Sequence, residues 1–232
     1  MSLYVRGGSI NMELVRTKFI LEFSAPFNPW IEMRDLIRDV GELTTSEIQG
    51  PPLVMDVPDK KQRVEIHIKS FVLHQEGKST LKESSDVIIE KIEKIRNTIG
   101  IPRIAKVGFS AQFIDPYNLS FQDLLIKFKA HFFQSNSIVD FSNDAGISLT
   151  RTENEINKFT QMGPMGKEQL SKTLLIWKRT PIPDNFIYIE NVYESLGETD
   201  YDPDKFRDLI NSAYHWQEDN ALNIFKYLSE GV

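Results

Sequence analysis

The sequence predicts an α+β fold in two parts. A ferredoxin-like half (β-α-β-β-α-β) spans residues 1–116, and residues 117–232 hold a helix, an antiparallel β-meander and a long C-terminal helix. In the first part, apolar residues recur with period two and then period 3.6, in the alternation that the split βαβ arrangement requires. In the second part, strand-like runs follow one another too closely for parallel crossovers. The turn "PYNL" at 116–119 separates the halves, which could still pack as one body.

A strand and a helix open the pattern. Residues 13–23 alternate between an apolar and a charged face, which is typical of a strand with one face in the core. Asn28 followed by Pro29 favours a helix start, because asparagine accepts from free first-turn amides and proline has no amide to satisfy there. Gly41 can adopt the left-handed conformation that ends a helix. We therefore expect a helix over residues 28–41.

A hairpin, a second helix and a further strand complete the first half. The hairpin strands are predicted at 53–57 and 63–74, with the turn "PDKK" between them. Isoleucines at helical spacing predict a helix over 81–99, which Gly100 ends. After Pro102, the run "RIAKVGFSAQFID" alternates as a strand.

Two helices frame the second half. Residues 120–133 are predicted as a helix, because Ser120 and Asp123 resemble a capping box ahead of a Phe-rich stripe. Asp202 opens the last helix, which the apolar period extends to about Leu228. Strand-like runs of the meander are expected near residues 137–142, 147–153, 156–162, 172–180 and 185–193.

Composition excludes several classes of protein. The chain has 232 residues and no cysteine, so it holds neither a disulfide framework nor a cysteine zinc site. No apolar run approaches the roughly 20 residues that span a bilayer. The first residues, "MSLYVRGGSIN", lack the apolar core of a signal peptide and are interpreted as a loose arm. We therefore expect a soluble, cytoplasmic protein with no membrane partner.

The net charge of −6 is concentrated at the C-terminal end. Residues 184–232 hold 11 acidic and 3 basic side chains, a balance of −8. Such a surface repels a phosphate backbone, so the sequence disfavours nucleic acid as a partner. The acidic residues could face a basic partner instead, or form the solvated surface of a helix start.

Four residues are candidates for a ligand site. His131 lies at the edge of the stripe of helix 120–133, where it could touch a ligand or make one hydrogen bond at the core edge. His215, in "HWQED", points away from the apolar stripe of the last helix, with Asp219 beside it. A solvated imidazole next to a carboxylate explains this pair without a site. Trp177 lies in a short basic run that could touch nucleic acid or form a solvated hairpin.

Two short motifs fail the tests for their ligands. Asp200, Asp202 and Asp204 are spaced like the first three ligands of a calcium loop. However, Lys205 and Asn211 stand where that loop requires glycine and glutamate, and helix capping by Asp202 explains the cluster without a metal. The stretch "GPMGKE" lacks the first glycine and the Ser or Thr of a phosphate loop, and is predicted to be a turn between strands.

A metal-dependent hydrolase or nuclease is the alternative to a non-enzymatic protein. His67 and His74 cannot serve it together, because they are an odd number of positions apart on one predicted strand and point to opposite faces. We assign no catalytic, cofactor-binding or metal-ligating residue and expect no cofactor. The groups that the alternative would use are Asp140, Asp144, Glu153 and Glu155, with His131 or His215.

Two stretches resemble a sporadically distributed family of uncharacterised bacterial proteins. "EDNALNIFKYLSEG" is similar to its C-terminal helix, with Glu218 and Asp219 at the usual His-Asp pair. "IPRIAKVGFSAQFID" is similar to its helix-exit strand, which usually reads Ile-Gly-Leu-Arg-Tyr-x-Asn. The resemblance implies an α+β prokaryotic protein with no established activity. In the strand, Gly108 and Phe109 match, and Ser110, Ala111 and Phe113 replace the Arg, Tyr and Asn.

The sequence therefore predicts a non-enzymatic interaction module or ligand-binding protein. Its patterns build an apolar core, whereas its titratable side chains do not converge on one point. A protein partner or a second copy could add to an exposed sheet edge.

Overall fold

The computed structural model describes residues 3–5, 8–25, 53–57, 60–76, 81–99, 103–134, 137–173 and 182–231. The strands are β1 (Leu3–Val5), β2 (Gly8–Ile10), β3 (Glu13–Phe23), β4 (Leu53–Val57), β5 (Gln62–Ile66), β6 (Ser70–Glu76), β7 (Ile104–Pro116), β8 (Ile147–Glu153), β9 (Ile156–Gly166) and β10 (Asn185–Thr199). The helices are α1 (Leu81–Ile99), α2 (Phe121–Phe132), α3 (Ser137–Phe141), α4 (Lys167–Thr173) and α5 (Pro203–Gly231).

Eight of these strands form one antiparallel sheet in the order β4-β5-β6-β3-β7-β10-β9-β8. The long strand β7 lies inside the sheet and pairs with β3 on one side and β10 on the other. The predicted α+β class, the antiparallel sheet and the long C-terminal helix are confirmed. None of the helices in the described ranges is long and apolar enough to cross a membrane.

Helices α1, α2 and α5 pack on one face of the sheet. Their apolar residues, including Ile92, Phe128 and Phe225, join one buried cluster with the side chains of that face. At its centre the rings of Phe19 and Phe109 lie 5.2 Å apart on adjacent strands. Full burial of one such ring contributes about 1.5–3 kcal/mol to the stability of the fold.

The opposite face is covered differently. Helix α4 places Leu170 over a small apolar cluster with Val15, Ile114 and Phe186 near one end of the sheet. Beyond that cluster the strands present mostly polar side chains on this face, as an antiparallel sheet with one solvated face does. We call it the polar face.

Local signals predicted several elements well. Strands β3 and β4 and helix α1 have the predicted bounds. The predicted cap at Ser120 is confirmed, since Ser120 Oγ accepts from Asp123 N at 3.1 Å. Capping of the last helix is confirmed too, because Asp202 Oδ1 accepts from the amides of Asp204 and Lys205 at 3.1 and 3.3 Å.

The single strand predicted over 63–74 is wrong, because the chain turns inside it. Two strands, β5 and β6, form there, and His67 N donates to Ser70 O at 2.8 Å to close the turn between them. No glycine or proline marks this turn, so the alternation of apolar and polar residues was interpreted as one continuous strand. Residues 53–76 consequently hold three strands rather than the two predicted.

Three predictions in the second half are also wrong. The run 137–142 is mostly the helix α3, whose Phe141 side chain is exposed rather than packed. The expected turn "GPMGKE" continues β9 as far as Gly166, and α4 follows at once. Gly163 serves close packing here, since an added Cβ would lie 2.7 Å from Ala145 O. Residues 172–173 of the predicted strand 172–180 belong to α4.

Other predictions fall at or beyond the edges of the described ranges. The expected loose arm at the start instead contains the hairpin β1–β2. The last helix runs to Gly231 rather than to about Leu228. The predicted helix 28–41 and residues 174–180 of the predicted strand 172–180 lie outside the described residues.

Candidate functional site

His131 lies on α2 at the edge of the core. Its ring packs edge-on against Tyr227, with centroids 4.5 Å apart, and against Phe132 at 5.0 Å. Its Nε2 is buried and has no hydrogen-bond partner among the described residues. The aromatic contacts position the imidazole within the core edge.

The remaining predicted candidates do not meet His131. His215 and Asp219 are both exposed on α5, as the amphipathic pattern predicted. Trp177 lies outside the described residues. In the ranges that the structure describes, no group of three or more His, Asp or Glu side chains is arranged to hold a metal ion.

The polar face carries a cluster that the sequence did not reveal. Cross-strand neighbours form a continuous polar row over six strands, from β6 through β3, β7, β10 and β9 to β8. Side chains opposite one another in such a row are close enough to interact. The row consists of Glu76, Arg16, Gln112, Glu190, Gln161 and Ser148.

Arg16, His74 and Glu65 form a hydrogen-bonded chain beside this row. Arg16 Nη2 lies 2.6 Å from His74 Nδ1, and His74 Nε2 lies 3.3 Å from Glu65 Oε1. A guanidinium only donates, so His74 Nδ1 is the acceptor and the ring proton is on Nε2. His74 Nε2 therefore donates to Glu65 Oε1. Burial lowers the pKa of His74 to about 3, and the charges of Arg16 and Lys18 act in the same direction. His74 is therefore neutral and links Arg16 to Glu65 through hydrogen bonds on both sides of its ring.

The turn between β5 and β6 removes the premise of the argument about His67 and His74, which assumed one continuous strand. His67 Nε2 lies 3.4 Å from Glu65 Oε2, on the carboxylate that His74 also contacts. Odd spacing places residues on opposite faces only within one continuous strand. The turn at His67 breaks that condition, so one carboxylate reaches both rings.

Glu190 is the second centre of the cluster. Its Oε1 accepts from Ser110 Oγ at 2.7 Å and from Gln112 Nε2 at 3.2 Å, and its Oε2 accepts from Tyr188 OH at 3.2 Å. Burial raises the pKa of Tyr188, with the Glu190 charge adding to the shift. The phenol therefore stays protonated at neutral pH and donates. These groups hold one another in place, which suits a rigid platform more than proton transfer to a substrate.

A pocket of about 350 Å³ lies where β10 ends and α5 begins. Its floor is apolar and is formed by Ile104, Val107, Phe206 and Leu209. The first three of these are buried. Such a floor can take the aliphatic part of a ligand.

The rim of the pocket is acidic. It carries Glu155, Glu198, Asp200 and Asp202, against one lysine, Lys205. Amide hydrogen bonds at the helix start lower the pKa of Asp202, which therefore stays ionised. An apolar floor inside a negative rim fits a cation on an aliphatic stem.

Ion pairs at the rim are exposed and therefore exchangeable. Arg103, outside the lining, lies 3.5 Å from Glu198 and 3.2 Å from Asp200, and Asp200 is 87% exposed. Such surface pairs contribute only about 0–1 kcal/mol, so an incoming cation can replace Arg103 at little cost. Glu155 makes no ion pair within the described ranges.

Two backbone features bring the rim together. The β8–β9 hairpin turns through Asn154 and Glu155, both with positive φ (48° and 63°). The pairing of β10 with β7 shifts register between Leu196 and Thr199, with Gly197 at φ +104°. That positive φ favours glycine, and Glu155 Oε2 lies 3.6 Å from where a Cβ of Gly197 would be, an ordinary contact distance. The sequence signal was "SLGETDYD", a glycine within acids.

Comparisons with known proteins assign this chain to no family. No family model matches it, and no curated protein matches it. Among solved structures it is similar to the TBP of Methanococcus jannaschii at 12% identity, over 87% of this chain and 98% of that chain, with a TM-score of 0.29. That likeness is too distant to bear on fold or function. The relation to the bacterial family stays a prediction.

Proposed function

We propose that this protein is a non-enzymatic interaction protein that binds a basic, partly apolar segment of a protein partner in the pocket between β10 and α5. The apolar floor beneath an acidic rim is the observation that carries the proposal. A lysine or arginine side chain has the required form, because its methylene stem can lie on apolar surface while its charged head stays at the rim.

The distribution of charge supports a basic partner. The acidic excess of residues 184–232 lies in the segment that supplies most of the rim. A negative surface raises the encounter rate with a positive partner, and it does so less at high salt. The salt dependence of binding is therefore part of the proposal.

The arrangement of titratable groups favours binding over catalysis. His131 packs among rings, His215 faces solvent, and His74 is held neutral between two partners. No observation in the described ranges favours the metal-dependent hydrolase over the binding protein.

Binding can be tested with a fluorescein-labelled hexapeptide of alternating lysine and leucine. The fluorescence anisotropy of the peptide is measured as the full chain is added. We expect saturable binding that weakens as salt rises, and no binding of the matched glutamate–leucine peptide. Glu155→Gln and Glu198→Gln should each weaken binding about 2- to 5-fold, the range for an exposed charge pair. The double variant should weaken it about 4- to 25-fold if the two effects add as free energies.

The matched control is Glu168→Gln, which removes the same charge from an exposed position on α4. It should leave the affinity unchanged. If the double variant and the control bind the peptide equally, the contact is a general charge effect and the pocket is not the site.

We also propose that the first half of the chain has a ferredoxin-like fold. Strands β5, β6, β3 and β7 are neighbours in the order that a ferredoxin-like half requires, with α1 between β6 and β7 in sequence, and this order supports the assignment. The assignment also requires a helix between β3 and β4, which the sequence predicts at 28–41. Backbone chemical shifts of that segment would test it.

A further inference from the structure

We propose that the chain self-associates through β8, which pairs antiparallel with β8 of a second copy about a two-fold axis at Thr150. Among the described strands β8 pairs with β9 alone, so its other side is a sheet edge. Residues 148–152 are all exposed, so nothing in the part of the chain that the structure describes covers this edge. An uncovered edge strand is a template for pairing with another chain.

The two-fold axis preserves the faces of the sheet. In antiparallel pairing about an axis normal to the sheet, each residue meets one of the same parity on the other copy. The amides that point away from β9 on one strand therefore meet outward-pointing carbonyls on the other. Each face of one sheet continues into the same face of its partner.

Charge selects the register. With the axis at Thr150, Leu149 lies opposite Arg151 of the second copy, and Ile147 lies opposite Glu153. No charge then faces its own sign, and the stem of Arg151 can cover Leu149, which is 54% exposed. An axis at Arg151 would place two arginines face to face. An axis at Thr152 or Leu149 would leave part of the strand unpaired.

The polar face is compatible with the same register. There the paired residues are Ser148 with Thr152 and Thr150 with itself, which forms a ladder of hydroxyl side chains. Thr–Thr and Ser–Thr pairs stabilise adjacent strands. Phe141, at the end of α3 and six residues before β8 begins, is 84% exposed and offers further apolar surface. A seven-residue strand pair is small for a stable dimer, so we expect weak association.

A cysteine cross-link tests the register directly, because the chain has no native cysteine. In the proposed dimer the thiols introduced by Thr150→Cys face each other, within the Cα separation of about 4.4–6.8 Å that a disulfide needs. Thr152→Cys is the control, since its thiols would be about 14 Å apart. Mild oxidation should yield covalent dimer from the first variant and much less from the second.

Analytical ultracentrifugation of the full chain tests association without a cross-link. Leu149→Arg places arginine opposite Arg151 and should weaken self-association at least about 10-fold, whereas Leu149→Glu should retain it. Ile126→Arg is the control, because Ile126 is also 54% exposed but lies on α2. Circular dichroism of each variant shows whether it is folded.

Two results would overturn the inference. One is a wild-type chain that stays monomeric at the highest concentration reached. The other is equal cross-linking of Thr150→Cys and Thr152→Cys. Both readouts are independent of the peptide-binding pocket, because β8 does not line it.

Discussion

Asn191 and Gln217 exchange hydrogen bonds between the sheet and the last helix. Asn191 Nδ2 donates to Gln217 O at 2.7 Å, and Gln217 Nε2 donates to Asn191 O at 2.9 Å and to Phe109 O at 2.9 Å. Both side chains are fully buried. This exchange fixes how α5 lies on β7 and β10, and so where the pocket forms.

Gln217→Met should destabilise the fold by about 2–4 kcal/mol. Methionine fills a similar volume but leaves buried polar groups of the sheet without their donor, and each unsatisfied group costs about 1–3 kcal/mol. Urea unfolding measures the change. Gln122→Met, on an exposed position of α2, should change stability by less than about 0.5 kcal/mol. Equal stability of the two variants would mean that the exchange adds nothing.

His74 should make the protein sensitive to acid. Its pKa falls from 6.5 to about 3 on folding, so between these values the unfolded chain binds more protons and stability drops as pH falls. The slope from this group approaches 1.4 kcal/mol per pH unit, or about 2 kcal/mol between pH 7 and pH 5. Well above pH 6.5 the histidine is neutral in both the folded and the unfolded chain, so it no longer changes the free energy of unfolding as pH rises.

His74→Gln isolates this contribution. An amide can still accept from Arg16 and donate to Glu65, but it does not titrate. The difference in unfolding free energy between pH 7 and pH 5 should therefore shrink by about 2 kcal/mol. The exposed His215→Gln should leave the difference unchanged. The same pH dependence in both variants would contradict a neutral His74.

Ser120→Ala should cost about 1 kcal/mol, because it removes the acceptor of the Asp123 amide at the start of α2. Ser120→Thr keeps a hydroxyl and should cost only a few tenths of that. Chemical denaturation of the two variants side by side measures the cap. A threonine variant as unstable as the alanine variant would point to some other role for this position.

Gly163→Ala should destabilise the fold by about 1–3 kcal/mol, since the new methyl would lie 2.7 Å from the backbone oxygen of Ala145. Gly108→Ala is the matched control, within strand β7 of the same sheet. There the nearest atom would be Ile20 Cβ at an ordinary 3.7 Å. Thermal unfolding should separate the two variants clearly, and a Gly163→Ala protein with the wild-type Tm would show that the chain around Ala145 relaxes freely.

Added Mg²⁺ or Mn²⁺ should not change the Tm. A site filled at a hundred times its Kd would add about 2.7 kcal/mol, which is several degrees for a chain of this size. The hydrolase alternative would use His131 or His215. His131 packs against aromatic rings, whereas His215 is exposed to solvent. A metal-dependent rise in Tm that His131→Ala or His215→Ala abolishes would restore that alternative.

Local chemistry alone determined much of this molecule. The alternation of residues 13–23, the isoleucine stripe of α1 and the caps at Ser120 and Asp202 predicted their elements correctly. Each depends on contacts within a few residues along the chain, which periodicity and capping rules describe directly. Some errors came where a residue had two possible roles, such as Gly163, which serves close packing rather than a turn. The turn between β5 and β6 was missed because no glycine or proline marks it.

Only the tertiary structure decided which distant residues meet. His74 contacts Arg16 across 58 positions because β3 and β6 pair in one register, and a shift by one residue would turn either side chain to the other face. The pocket likewise needs Glu155 to reach Gly197 from another strand. Pairing register depends on the summed packing of whole strands. No short stretch of sequence contains that sum, so the core was predictable and the candidate site was not.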